Sequence, residues 1–474
     1  MDRGFRLRAR VFEQARELEP AHALGLLSAH RLPILLDSAA GEPRRASLLA
    51  FDPLPLGPDH ARAASRPGGL RSLLAALTPD GGDEIPGPFH GGLLCALAYD
   101  LGAAGERRID VAAEPWAQPL FVGGLYVDFL VRDELAGRTW LVLADDPGDG
   151  REPLEQRRRT IERELRAAPR LGATRAQPLQ RHVTPQEHMR RIEALRQSIG
   201  RGDLYQANLA HRFSALAQGE PHDWYARLRA ANPAPYMGYL RWRASDGFEP
   251  AGALLSASPE LFFELEDGVA RTRPIKGTIE RSDDPAIDAQ RARTLLASEK
   301  DQAELAMIVD LERNDLGRCA VAGSVRVEDW PRLRSYARVH HLTADVVARL
   351  RPGLDAFDLL DALFPGGSIS GAPKLAAMAR IAELEGAGRG FFTGSLGFVD
   401  LRGNAAFNIL IRTFLWRETG GGELSFQVGG GITWSSDAAA EERETLAKAR
   451  AMLEALGASS DQPHGTGRNS GRPY

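Results

Sequence analysis

The chain has 474 residues, 43% of them hydrophobic and 26% charged, the make-up of a large globular protein of up to about three domains. Its formal net charge of −4 offers no basic field to nucleic acid and no acidic solvating block. The N-terminus lacks the apolar core of a signal peptide, the longest apolar stretch (91–99) is too short to cross a bilayer, and Cys95 and Cys319 stand in no metal-ligand spacing, so a reducing, cytoplasmic location is expected.

Residues 1–145 mix short strand-like runs (LPILLDS, SLLAFDP, PLFVGGLYVDFLV, RTWLVLADD) with Gly/Pro turns and little helical period. An Arg/Glu-rich helix over 151–168 and a polar loop follow, and the 145–182 stretch reads as a boundary. The expected division is an N-terminal region at 1–150, a linker helix and loop at 151–183, a main unit at 184–457 and a disordered tail at 458–474. Thr184-Pro185-Gln186-Glu187 is a capping box with proline at the first helical position, and Met189, Ile192, Leu195 and Ile199 form the apolar stripe behind it. After Gly202 the run GDLYQANLAHRF alternates as a strand. Further strands are predicted in LLSASPELFFEL, VARTRPIKGTI, GFFTGSLGFVDL, AFNILIRTFLW and LSFQVGGGITW, and helices near 284–316, 355–364, 372–385 and 437–456. Strands and helices do not alternate regularly, which favours an α+β fold with antiparallel sheets over a doubly wound one.

Of 59 basic residues only four are lysines: Lys276, Lys300, Lys374 and Lys448. Arginine cannot stand in where chemistry needs an amine that loses its proton, so each remaining lysine is enriched for function. Two helices carry carboxylates three residues apart, Asp301 with Glu304 and Glu441 with Glu444. Such neighbours can offer oxygens to one hard cation, and two facing pairs would make a magnesium site; taken alone, either pair reads more simply as a solvated charged face. PGGSISGAPK (365–374) is a Gly-rich turn feeding a helix, with Ser370 as N-cap and Pro373 in the first turn. Its free N–H groups suit an anion, though a plain structural turn reads better for the segment by itself. Lys276, directly after a strand and before Gly277-Thr278, is either an exposed strand-end lysine or an amine held against a site wall. Glu260, between apolar residues on a strand, suits a general acid or a strand-edge ion pair. His341 is one of an adjacent pair that an extended backbone sends to opposite faces, and a satisfied core histidine is the default there.

Together these segments stop being generic. RPIKGT, DLERNDLGR, VHHLTADV, PGGSISGAPK, NILIRT and GGGIT…AEERET, in this order over 184–456, resemble the chorismate-utilising enzymes. The resemblance implies two antiparallel sheets packed face to face with helices outside, and a magnesium ion bridging helix carboxylates and the substrate's ring carboxylate. It carries the metal role onto Asp301, Glu304, Glu441 and Glu444, with Asp301 at a place usually filled by Glu. It assigns the enolpyruvyl carboxylate to Arg412 and the amides around Gly429, Gly430 and Gly431, with Ser368 nearby, and gives His341 the orientation of the ring. Phe392 stands where the family commonly has a tyrosine.

Two positions separate the family's branches. Isochorismate-type members activate water with a lysine in the strand that here reads LYQANLAHRF, where Gln206 takes its place, and an amide is too weak a base for that. Anthranilate synthases read P-I-A-G-T where this chain has Lys276. The resemblance therefore implies the C4-aminating branch: Lys276 as covalent nucleophile, Glu260 as general acid on the departing hydroxyl and Thr278 as a positioning hydroxyl. The implied product is 4-amino-4-deoxychorismate, leading to p-aminobenzoate and folate, with ammonia from a separate glutamine amidotransferase subunit. The alternatives are an anthranilate synthase with an atypical lysine and a non-catalytic chorismate-binding regulatory subunit.

Overall fold

The computed structural model describes residues 5–15, 17–40, 46–55, 69–104, 106, 109–146, 148–167, 171–336 and 338–458; the expected tail lies outside them except for Ala458. Strand alternation explains the layering. In a 14-stranded sheet Ile34, Leu48, Leu240, Leu254 and Leu415 enter one core, while their neighbours Leu35, Leu49, Tyr239, Leu255 and Phe414 enter another, because successive side chains leave a strand on opposite faces. The first set meets Leu94, Leu396, Phe398 and Phe407 of a nine-stranded sheet packed face to face with it. The second set is covered by helices Pro20–Leu27, Leu154–Leu165, Pro221–Ala231 and Ala438–Leu456 through Leu24, Ile161, Trp224 and Met452. The sheets approach so closely that a Cβ on Gly238 would meet Leu396 Cδ2 at 2.3 Å. Among the described strands every pairing is antiparallel except that of Phe5–Glu13 with Leu77–Gly82. The fold is thus α+β, as expected.

The segment before residue 150 is woven into both sheets. Strand Ile34–Asp37 pairs with Met237–Trp242 in the larger one, and Gly92–Leu97 pairs with Ser395–Asp400 in the smaller. The Asp37 carboxylate also accepts hydrogen bonds from the Tyr225 hydroxyl (2.9 Å) and Arg229 Nε (2.7 Å). The boundary expected at 145–182 divides the sequence, whereas strands on either side of it share hydrogen-bonded ladders.

Local signals explain most elements and two departures. Thr184 Oγ1 accepts the Glu187 N–H at 3.2 Å, starting helix Pro185–Gly200, whose Ile192 and Leu195 pack on Leu209 and Ile381. The single helix expected over 284–316 is two, Pro285–Leu296 and Glu299–Gly317, because the Ser298 hydroxyl caps the second by accepting the Asp301 N–H. Ser370 is not an N-cap: its hydroxyl donates to Gly366 O at 2.8 Å. Gly371–Ala372 are drawn into pairing with Gln206 and Ala207, so helix Lys374–Glu385 begins later, with Pro373 at its N-cap. Among the described residues no helix is long and apolar enough to cross a membrane.

Removing residues 1–150 would bare strand Met237–Trp242 in one sheet and Ser395–Asp400 in the other, both rich in apolar side chains. A chain beginning at residue 151 is therefore expected to aggregate, or to lack the cooperative thermal transition of the full chain when melted under circular dichroism. A soluble, cooperatively melting fragment would show that the later segment folds alone.

Candidate active site

Between the smaller sheet, the larger sheet and two helices lies a cavity of about 960 Å³. Every residue given a substrate, catalytic or metal role by the family resemblance lines it. Lys276 and Thr278 come from strand Ile275–Glu280 and His341 from Val339–Arg349. Gly429, Gly430 and Gly431 come from Glu423–Ile432, and Arg412 from just before Thr413–Arg417. Asp301 and Glu304 lie on helix Glu299–Gly317, Glu441 and Glu444 on Ala438–Leu456, and Ser368 in the turn Gly367–Ile369. Glu260 also lines the cavity, but it lies in the link before Leu261–Glu266 rather than within a strand. There the Ser258 hydroxyl accepts its N–H at 3.2 Å and its carbonyl accepts the Ile409 N–H at 3.1 Å.

Lys276 reaches the cavity through a bulge. It pairs with Leu342 and Thr278 with His341, leaving Gly277 as the extra residue at φ +77°. Leu342 belongs to the core, yet the bulge turns Lys276 to the cavity. Only glycine suits position 277, where a Cβ would also lie 2.9 Å from Asp301 Cβ. The Lys276 ammonium donates to Ser368 O at 3.4 Å, and Asn208 Nδ2 donates to the same carbonyl at 2.8 Å. Burial lowers the Lys276 pKa from the usual lysine value, against the opposing charges of Glu304 and Glu260. Burial raises that of Glu260, although the Ser368 hydroxyl and the Lys276 charge oppose it. Two environments thus move an amine towards neutrality and a carboxyl towards its protonated form, side by side.

Thr278 Oγ1 lies 2.8 Å from His341 Nδ1, while His341 Nε2 is buried with no hydrogen-bond partner. Burial, with the Arg412 charge, pushes the His341 pKa down to about 3, so the imidazole is neutral at physiological pH. Arg412 stands at φ +52°, a left-handed conformation that is uncommon for a side-chain-bearing residue. Its guanidinium has no hydrogen-bond or ion-pair partner among the described residues, and burial lowers its pKa while Glu260 opposes the shift. A desolvated, unpaired arginine on a cavity wall suits a planar anion such as a carboxylate.

The four helix carboxylates are only partly neutralised. Lys300 lies 3.8 Å from Glu304, Lys448 lies 2.7 Å from Glu444, and the Ser436 hydroxyl donates to Glu441 Oε1 at 2.7 Å. Burial raises the Glu304 pKa, and the charges of Asp301 and Glu444 add to that rise. This crowding of hard oxygen donors fits a divalent cation such as magnesium. Among the described residues no three of these carboxylates bring oxygens within 4.8 Å of one another; the group that does converge so closely is His188, His211 and Glu442. A cation between the two carboxylate pairs would need water or substrate oxygens to complete its shell.

Several cavity residues were not picked out in the sequence. Asn208 lines the wall, and Arg389 braces it by donating to Asn208 O (2.8 Å), Ile369 O (3.1 Å) and Glu385 Oε1 (2.7 Å). The scarcity of lysine was the usable signal: Lys276, Lys300 and Lys448 all line the cavity, while Lys374 pairs with Asp315 at 2.6 Å. Phe392 also lines the cavity, with the Arg389 guanidinium 5.6 Å from its ring centre.

Residues 60–454 match the family described as chorismate binding enzyme. The chain belongs to that family. It is 40% identical over 369 residues to aminodeoxychorismate synthase component 1 of Salmonella typhimurium, covering 78% of this chain and 77% of that one. It is 38% identical over 442 residues to anthranilate synthase component 1 of Streptomyces coelicolor, covering 89% and 83%. The solved structure of anthranilate synthase component I from Streptococcus pneumoniae superposes with a TM-score of 0.72 at 29% identity, covering 86% of this chain and 92% of that one. The chain is therefore a chorismate-utilising enzyme of the aminodeoxychorismate synthase or anthranilate synthase component I type, and the cavity is its candidate active site.

One buried acid near the site makes a separate prediction. Glu312 receives the Thr272 hydroxyl at 2.5 Å, and burial pushes its pKa up to about 8 against that bond. A folded-state value above the unfolded one means that the stability contributed by this proton is fully present below about pH 4.5 and is lost as pH rises through 8. Glu312→Gln keeps the shape and removes the titration. Its melting temperature relative to the unaltered chain is therefore expected to improve progressively between pH 5 and pH 8.5 in scanning fluorimetry, and a constant difference would contradict the buried proton.

Proposed function

We propose that this enzyme aminates chorismate at C4, yielding 4-amino-4-deoxychorismate with the enolpyruvyl group retained. The observation that carries the reading is Lys276: a desolvated amine of lowered pKa on the wall of the cavity, under the opposing charges of Glu304 and Glu260. In the first step the Lys276 Nζ lone pair forms a bond to the ring carbon beside the carboxylate-bearing one. The ring double bonds shift, the C4–O bond breaks, and the Glu260 proton leaves with the hydroxyl as water. In the second step ammonia bonds to C4, the double bonds shift back, and the C–N bond to Lys276 breaks, returning the amine. The proton released by the incoming ammonia restores Glu260, so the sum is chorismate plus ammonia to aminodeoxychorismate plus water.

The remaining wall binds and orients. Arg412 would take the enolpyruvyl carboxylate together with the amides near Gly429–Gly431 and the Ser368 turn. The unpaired Nε2 of neutral His341 would meet the ring substituents, its own orientation held by Thr278. Asp301, Glu304, Glu441 and Glu444 would hold magnesium, which when bound neutralises the ring carboxylate. The relatives named component 1 support a second subunit, a glutamine amidotransferase supplying ammonia. Two free, buried cysteines are consistent with a cytoplasmic setting.

The anthranilate reading is favoured by the 38% identity to the Streptomyces coelicolor enzyme, and the product distinguishes the two. Chorismate, magnesium and excess ammonium are expected to give a species that keeps the enolpyruvyl group and exchanges hydroxyl for amine by mass spectrometry; anthranilate with pyruvate would overturn the reading. Lys276→Arg and Lys276→Ala are expected to lower turnover alike, by about 10²–10⁴-fold, since guanidinium stays protonated. An arginine variant of near-normal kcat would remove the covalent role. Because the His341 pKa lies at about 3, kcat/KM should show no limb from this residue between pH 5 and 8. A limb near 6.5 that disappears in His341→Gln would contradict its neutrality.

A further inference from the structure

Beneath the carboxylates of the last helix lies a second, largely buried charge cluster. Glu442 adjoins Glu441 but does not line the cavity. Both of its oxygens are engaged: Arg181 Nη1 donates to Oε1 at 2.7 Å and Nη2 to Oε2 at 3.0 Å, while His188 Nδ1 lies 2.6 Å from Oε2. Arg181 is itself fixed, with Nε on Val183 O at 2.5 Å and Nη2 3.2 Å from His211 Nε2. The cluster ties strand Gln180–Arg181, helix Pro185–Gly200 and strand Gln206–Gln218 to the N-terminal part of helix Ala438–Leu456. Its donors are spaced as a metal trio would be, but the arginine fork already supplies the cation.

The geometry of the helix gives this clamp a task. Residues advance about 100° each, so Glu441, Glu444, Lys448 and Ala451 form the cavity-facing stripe, while Thr445, Ala449, Met452 and Leu456 form a buried stripe headed by Glu442. Below the first turn that buried stripe is small or apolar, and such contacts are not directional. A bidentate arginine–carboxylate pair is directional. A slip of about 20° around the axis would move a carboxylate carried about 6 Å out by about 2 Å, enough to spoil a cation's coordination.

We propose that Glu442 is a positioning residue: held by Arg181 and His188, it sets the rotation of the last helix and so aims Glu441 and Glu444 at the cation site. This rests on the cation reading given above. The probe is Mn²⁺, titrated onto the full chain with chorismate by electron paramagnetic resonance, alongside the Mg²⁺ dependence of turnover. Arg181→Lys keeps a charge and loses the fork. The pair Arg181→Met with Glu442→Leu replaces the buried ion pair by apolar groups, an exchange that such sites often tolerate in stability. Both are expected to bind Mn²⁺ about 10-fold or more weakly, to need correspondingly more Mg²⁺ for half-maximal rate, and to approach the unaltered kcat once Mg²⁺ saturates. Variants that fold with unchanged Mn²⁺ affinity would overturn the proposal, as would a tightly held stoichiometric transition metal in the purified chain. Absence of Mn²⁺ binding by the unaltered chain would instead overturn the cation reading itself.

Discussion

Charge buried without a full complement of partners is the constraint on which the rest of this structure depends. Among the described residues Arg412 faces the cavity unpaired, Lys276 Nζ reaches only a carbonyl at 3.4 Å, and Glu304 is crowded by the like charges of Asp301 and Glu444. Removing ions from water costs several kcal/mol each even after relaxation, so an isolated helix or hairpin could not hold this set in place. The two-sheet sandwich can, because its side chains interdigitate from Leu94 and Phe398 on one side to Leu240 and Leu254 on the other. In the proposed reading the substrate anion and a divalent cation would complete that charge balance, so that binding energy serves chemistry rather than mere affinity.

The same constraint explains where polar groups deep in the structure are spent. Arg389 is buried, yet its guanidinium reaches two main-chain carbonyls and a carboxylate, so it holds the backbone of Asn208 and Ile369, on either side of the Ser368 turn that faces Lys276. Arg181 does the corresponding work behind the last helix. Both are arginines in a chain with four lysines, and both use the planar fork that a lysine lacks.

Much of this is legible in the sequence. The antiparallel α+β class follows from irregular alternation of strands and helices, and the side chains named from the motifs converge on one cavity because each motif begins or ends an element that borders it. What was missed has physical causes. Glu260 reads as a strand residue because its neighbours are apolar, but the Ser258 hydroxyl takes up its N–H and the backbone leaves the ladder there. Ser370 looked like a cap because it precedes a helical run; long-range pairing of Gly371–Ala372 with Gln206–Ala207 overrode that local preference. The break at Ser298 carried a capping signal in plain view, masked by apolar periodicity on both sides. Arg389 and the Arg181–Glu442 clamp are set by tertiary contact alone, and no local pattern marks them.

The sharing of both sheets by the two ends of the chain bears on how the protein comes to exist in the cell. Strand Gly92–Leu97 pairs with Ser395–Asp400, and His90 meets Asp400 across a separation of 310 residues. At roughly 5–20 residues per second of synthesis, the early strand waits on the order of 15–60 s on the ribosome with an apolar edge exposed before its neighbour emerges. Such distant closure slows folding, and until the sandwich closes the early strands leave apolar edges open to wrong pairing.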